Sequence, residues 1–165
     1  MELYKDISET PLWDNYGFSA QIRSLDINLK LAHPDAKVPT KAHGDEDSCF
    51  DLYSCENVLL PYEGMKLVDT GVIMQIPFGW GGWIWDRSGL AVKGITTRAG
   101  VIDSNYRGTI KVVMVNEGDD ERATRISVGD RIAQIDFRRI YAVSFNVVDE
   151  ITETSRKGGF GSSGT

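Results

Sequence analysis

Apolar residues alternate in short runs along most of this chain, and helical spacing is nearly absent. No other feature restricts the fold so much, because a period of two fits strands and not helices. Ile22, Leu25, Ile27, Leu29 and Leu31 predict a first strand, and residues 49–53 a second. Residues 65–76 predict one or two more. Trp83 and Trp85 alternate on a short strand that leads into Asp86. β-Branched alternation marks residues 109–116 as a half-buried strand, and residues 131–137 and 142–148 predict the last two. Breakers separate the runs at His33-Pro34-Asp35, at Pro39-Thr40 and at Pro77-Phe78-Gly79-Trp80-Gly81-Gly82, the last read as a turn. A turn or two of helix is expected only after Ser88. The tryptophans are expected in the core. Short strands, glycine turns and no strand–helix rhythm give an all-β barrel or sandwich.

Composition narrows the class. A chain of 165 residues suits one domain with a real core. A net charge of −6 argues against wholesale nucleic-acid binding, while a few local cations still suffice for a small polyanion. On one straight strand Cys49 and Cys55 would lie about 20 Å apart at ~3.3 Å per residue. A disulfide spans roughly 7 Å. They read as free thiols in a reducing, intracellular and cytoplasmic setting, with nucleus or host-cell cytoplasm left open. No apolar run approaches the ~18 residues of a membrane span, so no membrane partner is expected. Glu2, Asp6, Glu9 and Asp14 are unlike a transit peptide. Neither His33 nor His43 has a Cys or His neighbour at ligand spacing, so no His-based metal site is expected. Residues 1–21 read as an N-terminal extension without a period, 22–150 as the β domain, and 151–165 as a flexible Gly-rich tail.

The chemistry concentrates in Ala99-Gly100-Val101-Ile102-Asp103-Ser104-Asn105-Tyr106-Arg107-Gly108. Gly100 and Gly108 bracket the stretch with backbone freedom. A carboxylate on a tight turn can take a proton from water, and an aromatic three residues on can wall off a small substrate. Alone, the stretch is equally an ordinary hairpin whose Asp suits the turn. It has company. Asp51-Leu52-Tyr53-Ser54 and Asp86-Arg87-Ser88-Gly89-Leu90-Ala91 precede it. Gly129-Asp130-Arg131-Ile132-Ala133-Gln134 and Gly158-Gly159-Phe160-Gly161-Ser162-Ser163-Gly164 follow. The last four residues of that tail alone would be a linker, but linkers seldom set an aromatic between glycines. In this order and spacing, the five segments resemble the five motifs of the trimeric dUTPase family, the dUTP pyrophosphatases.

The resemblance implies a distorted jelly roll with at most one short helix. It implies hydrolysis of dUTP to dUMP and pyrophosphate, which limits uracil in DNA and supplies dUMP for dTTP synthesis. Such chemistry needs charge neutralisation, alignment and an activated water. By the resemblance, Asp103 is the catalytic base toward a water attacking the α-phosphorus. Tyr106 packs on the deoxyribose and excludes a 2′-hydroxyl. Backbone from Thr97 through Gly100, Val101 and Ile102 reads the uracil edge, and Gly100 permits the close approach. Arg87, Ser88, Gly89 and Gln134 contact phosphates, with Arg87 offering a planar fork of donors. Asp51 holds Mg²⁺ through water, the metal riding mainly on substrate phosphates. The tail folds over the nucleotide, with Phe160 stacked on uracil and Gly158, Gly159, Gly161 and Ser162 approaching the phosphates. Arg156 or Lys157 takes the γ-phosphate.

The resemblance also implies a homotrimer with sites shared between subunits. Asp103 and Tyr106 come from one chain, and Arg87, Ser88 and Gln134 from another. The chain departs from the family pattern at Asp86, where the family has Pro, and at Asn105, where it usually has Asp. Ser48-Cys49 replaces small residues, Arg98 is bulkier than usual, and the tail motif is one residue shorter. An acid beside a triphosphate has to point away or be offset by a cation. Two rival readings use the same fold: a dCTP deaminase-like enzyme and a non-catalytic nucleotide-sensing trimeric module.

Overall fold

The computed structural model describes residues 24–118 and 121–155. They form eleven strands and one helical turn. The strands are β1 (Asn28–Leu31), β2 (Phe50–Tyr53), β3 (Val58–Leu60), β4 (Gly64–Asp69), β5 (Val72–Gln75) and β6 (Trp80–Trp85). After α1 (Ser88–Ala91) come β7 (Ile95–Arg98), β8 (Val101–Ile102), β9 (Lys111–Asn116), β10 (Thr124–Ile126) and β11 (Arg131–Arg139). A four-stranded sheet runs β2-β11-β6-β8 and a three-stranded sheet β4-β9-β7, with pairs β1-β5 and β3-β10 beside them. Every pairing is antiparallel, and the sheets do not close into one barrel.

Alternation translates into burial. In β9, Val112 and Met114 point inward while Lys111 is exposed. With Leu52, Leu60, Val68, Ile76, Ile110, Ile132 and Ile135 they form one core between the sheets. Each such side chain contributes roughly 1.5–3 kcal/mol on burial. The two cysteines are free thiols. Burial pushes the Cys55 thiol up, and the nearby Asp69 and Glu56 add to it.

Four expectations are corrected. β1 starts at Asn28, well after the first alternating residue, and Ile22 itself lies outside the described residues. The turn after β5 is shorter than residues 77–82: Trp80 N–H closes it on the Pro77 carbonyl at 3.1 Å, and Trp80 already begins β6. Gly81 and Gly82 are strand residues. A Cβ on Gly82 would come within 3.0 Å of Ile135, and one on Gly81 within 3.0 Å of the Trp83 ring.

Trp83 and Trp85 are not core residues. Trp85 is exposed, and the Arg138 guanidinium lies over both rings, 5.7 Å and 5.0 Å from their centroids. Residues 142–148 form no strand. They have strand composition but no strand beside them among the described residues, and Phe145 and Val147 are 91% and 100% exposed. Among the described residues, no helix is long and apolar enough to cross a membrane.

Candidate active site

Sheet register places the first group of site residues abreast. Gln134 on β11 faces Asp51 on β2 and Trp85 on β6, so Asp86 and Arg87 emerge beside them. Arg87 Nε donates to Asp51 Oδ1 at 2.9 Å, and Arg131 Nη1 donates to Asp51 Oδ2 at 3.2 Å. Arg87 Nη1 also reaches the Arg131 carbonyl at 3.2 Å. Asp51 is buried, and a buried carboxylate needs such partners. The pairing aims Arg87 while leaving several of its five N–H groups for an anion. Gln134 Nε2 donates to the Asp86 carbonyl at 2.8 Å.

Ser88 and Gly89 lie exposed at the start of α1, and a Cβ on Gly89 would meet nothing within 4 Å. Arg87 and Arg131 border a cavity of about 770 Å³ that also carries Lys93 and Arg125, with Glu117 and Asp130 opposing them. Arg131 is paired across a long stretch of chain. Its partner is 80 positions away, and a register shift between Arg131 and Ala133 sets the geometry. Nothing in the local sequence signals that pairing.

The second group lies on the segment from β7 through β8 and the turn that follows it. Gly100 passes so close to β6 that a Cβ would meet the Ile84 carbonyl at 2.7 Å, and Ile84 N–H donates to the Gly100 carbonyl at 2.7 Å. Ala99 takes a left-handed φ of +52° to make the corner. Asp103 then heads a turn closed by Tyr106 N–H on the Asp103 carbonyl at 3.1 Å. The Asp103 side chain is exposed at its tip. Tyr106 is half exposed and donates its hydroxyl to the Thr109 carbonyl at 3.1 Å. Its ring covers Gly108, where a Cβ would clash with it. Arg107 Nη1 ties the turn to the Ser104 and Tyr106 carbonyls at 2.7 Å each. Thr109 in turn donates to Asp69 at 3.0 Å. Burial opposes charge on Asp69, but hydrogen bonds from Gly71 and Thr109 and the Lys111 ammonium outweigh it, so its pKa lies below the usual carboxylate value.

Asp86 points away from the arginines. Its Oδ1 accepts both Thr97 N–H at 2.6 Å and Thr97 Oγ1 at 2.7 Å. Two backbone groups of the expected base-reading stretch, Thr97 N–H and the Gly100 carbonyl, are thus committed within the chain. Val101 stays exposed, and Ile102 packs against the core.

The two groups sit at opposite ends of β6. Gly82 pairs with Ile102, so Asp103 lies level with Gly81, five residues from Asp86. At ~3.3 Å per residue that separation is about 17 Å, and Arg87 is turned across the sheet to Asp51 on β2, away from the β8 edge that leads to Asp103. Arg156, Lys157, Gly158, Gly159, Phe160, Gly161 and Ser162 lie outside the described residues. Among the described residues, no group of three or more His, Cys, Asp or Glu is arranged for a metal.

Fold and site together define an all-β protein built like the phage dUTPases. The Staphylococcus bacteriophage 80alpha dUTPase with dUPNHPP matches with a TM-score of 0.76 at 27% identity, over 85% of this chain and 99% of that one. A mutant dUTPase from phage phi11 of S. aureus, described for coordination of a structural Mg(II) ion, shares the fold at a TM-score of 0.69 and 23% identity, over 76% of this chain and 97% of that one. The dUTPase family model matches residues 35–164. The deoxyuridine 5'-triphosphate nucleotidohydrolase of Candida albicans is 42% identical over 142 residues, 84% of this chain and 87% of its own. That of Solibacter usitatus is 40% identical over 147 residues, 87% of this chain and 99% of its own. The chain belongs to the dUTPase family.

Proposed function

We propose that this chain hydrolyses dUTP to dUMP and pyrophosphate in sites shared between the subunits of a homotrimer. The observation that carries the reading is the separation along β6: a base-bearing turn at one end and a phosphate-gripping cluster at the other. A neighbouring copy brings the missing half to each. The exposed apolar segment at residues 140–151 also favours assembly, since Phe145, Val147 and Ile151 lack cover within one chain.

In the shared site, Asp103 takes a proton from water, and the oxygen attacks the α-phosphorus. The bond from that phosphorus to the bridging oxygen breaks, and pyrophosphate leaves. Tyr106 blocks a 2′-hydroxyl, because its ring is fixed by the Thr109 carbonyl and by contact with Gly108. The edge from Thr97 to Ile102 reads uracil with the groups left open after its ties to β6. Arg87, Ser88, Gly89 and Gln134 take phosphate oxygens from the other chain, and preorganised donors of this kind lower the barrier. Residues 156–162 close over the nucleotide, with Arg156 or Lys157 on the γ-phosphate and Phe160 on the base.

Asp51 accepts one arginine on each oxygen and keeps lone pairs for water, which fits Mg²⁺ carried on the phosphates and reached through water. When bound, the metal neutralises phosphate charge. The test is incubation with dUTP, dCTP, dTTP and UTP plus Mg²⁺, with products resolved. Release of dUMP and pyrophosphate from dUTP alone is expected. Ammonia from dCTP, or binding of dUTP without turnover, contradicts the reading.

A further inference from the structure

The segment from β7 through β8 that leads to Asp103 straddles two sheets. β7 belongs to the β4-β9-β7 sheet, with Thr97 facing Met114, whereas β8 belongs to the four-stranded sheet, with Val101 facing Trp83. The segment between them runs antiparallel to β6 as the strands part. Trp83 faces Val101, and Ile84 N–H still reaches the Gly100 carbonyl. Beyond that point main-chain pairing gives out, and the Asp86 side chain replaces it. One carboxylate oxygen accepts both donors of Thr97, at 2.6 Å and 2.7 Å. Hydrogen bonds to an ionised acceptor are roughly twice as strong as neutral ones. Asp86 is itself anchored, since Gln134 Nε2 donates to its carbonyl, and Arg87 follows it directly.

We propose that Asp86 is a positioning residue that sets base selectivity by fastening the base-reading edge between β7 and β8 to the end of β6. This rests on the dUTPase reading. The Asp86 carboxylate is turned to Thr97. It acts by fixing Thr97 and, through the Ala99 corner, the exposed backbone up to Val101. Uracil and cytosine differ in the donors and acceptors of their pairing edge, so selectivity depends on how rigidly the backbone groups that read that edge are held. A proline, which the family pattern has here, offers no side-chain acceptor for this tie.

The experiment compares wild type, Asp86→Ala, Asp86→Asn and Thr97→Val in two readouts. One is kcat/KM for dUTP against dCTP; the other is amide hydrogen exchange at Thr97. Asp86→Ala should speed exchange and lower the dUTP preference about tenfold, the scale of losing a hydrogen bond to a charged group. Asp86→Asn keeps an acceptor and should retain most of the preference. Thr97→Val keeps its N–H and should lie between them. Should the alanine variant fail to fold, the Asn and Val variants carry the comparison. An unchanged dUTP to dCTP ratio together with unchanged Thr97 exchange overturns the proposal. A wild-type protein without dUTP turnover overturns the dUTPase reading instead, and Thr97 exchange still decides whether the tie holds this segment.

Discussion

Asp103 is exposed, which suits a base that must meet water. Asp103→Asn should keep the fold and lose ~10²–10⁴ in kcat. In ¹⁸O-water the label should enter dUMP, and label in pyrophosphate would mean attack at another phosphorus. Gly108 serves Tyr106, because an alanine Cβ would push on the ring. Gly108→Ala should therefore raise UTP use relative to dUTP, measured as the ratio of kcat/KM values; an unchanged ratio counts against the sterics. Asp69 supports the same turn through Thr109. Its folded pKa lies below the usual 3.8, so its contribution to stability is present above that value and is lost as pH falls through the folded pKa. The stability gap between wild type and Asp69→Asn, read from urea unfolding, should be full at pH 7 and shrink below pH ~4. A gap that widens on acidification contradicts this sign.

Strands were legible where alternation was dense, and β2, β4, β5, β9 and β11 lie where the sequence puts them. Alternation records a capacity to pair, not a partner, so residues 142–148 read as a strand that the described residues do not complete. Tryptophan density read as core because large rings favour burial, yet Arg138, two residues past the Asp136–Trp83 pair, draws Trp83 and Trp85 to an outer face. The Asp51 cluster was legible as separate motifs and not as a cluster, because its geometry depends on register and on a shift in β11. It yields a prediction for β2 and β11 together. Asp51→Ala leaves two guanidiniums without their shared acceptor and frees Arg87. It should lower the thermal midpoint and raise KM for dUTP, whereas Arg131→Gln should lower the midpoint with a smaller change in KM. Equal KM effects would deny that Asp51 aims Arg87.

At the scale of the molecule, the account depends on one claim: each chain holds two half-sites about 17 Å apart along β6, and a working site joins halves from different chains. The direct measurement mixes Asp103→Asn and Arg87→Ala chains in equal amounts under conditions of subunit exchange, after each alone proves nearly inactive. In a cyclic trimer, about one quarter of the sites then pair an intact turn with an intact arginine cluster. The account predicts that activity returns to about that fraction of wild type. Mixtures as inactive as the separate variants, with exchange confirmed by mass, would place both halves of the site in one chain and contradict it.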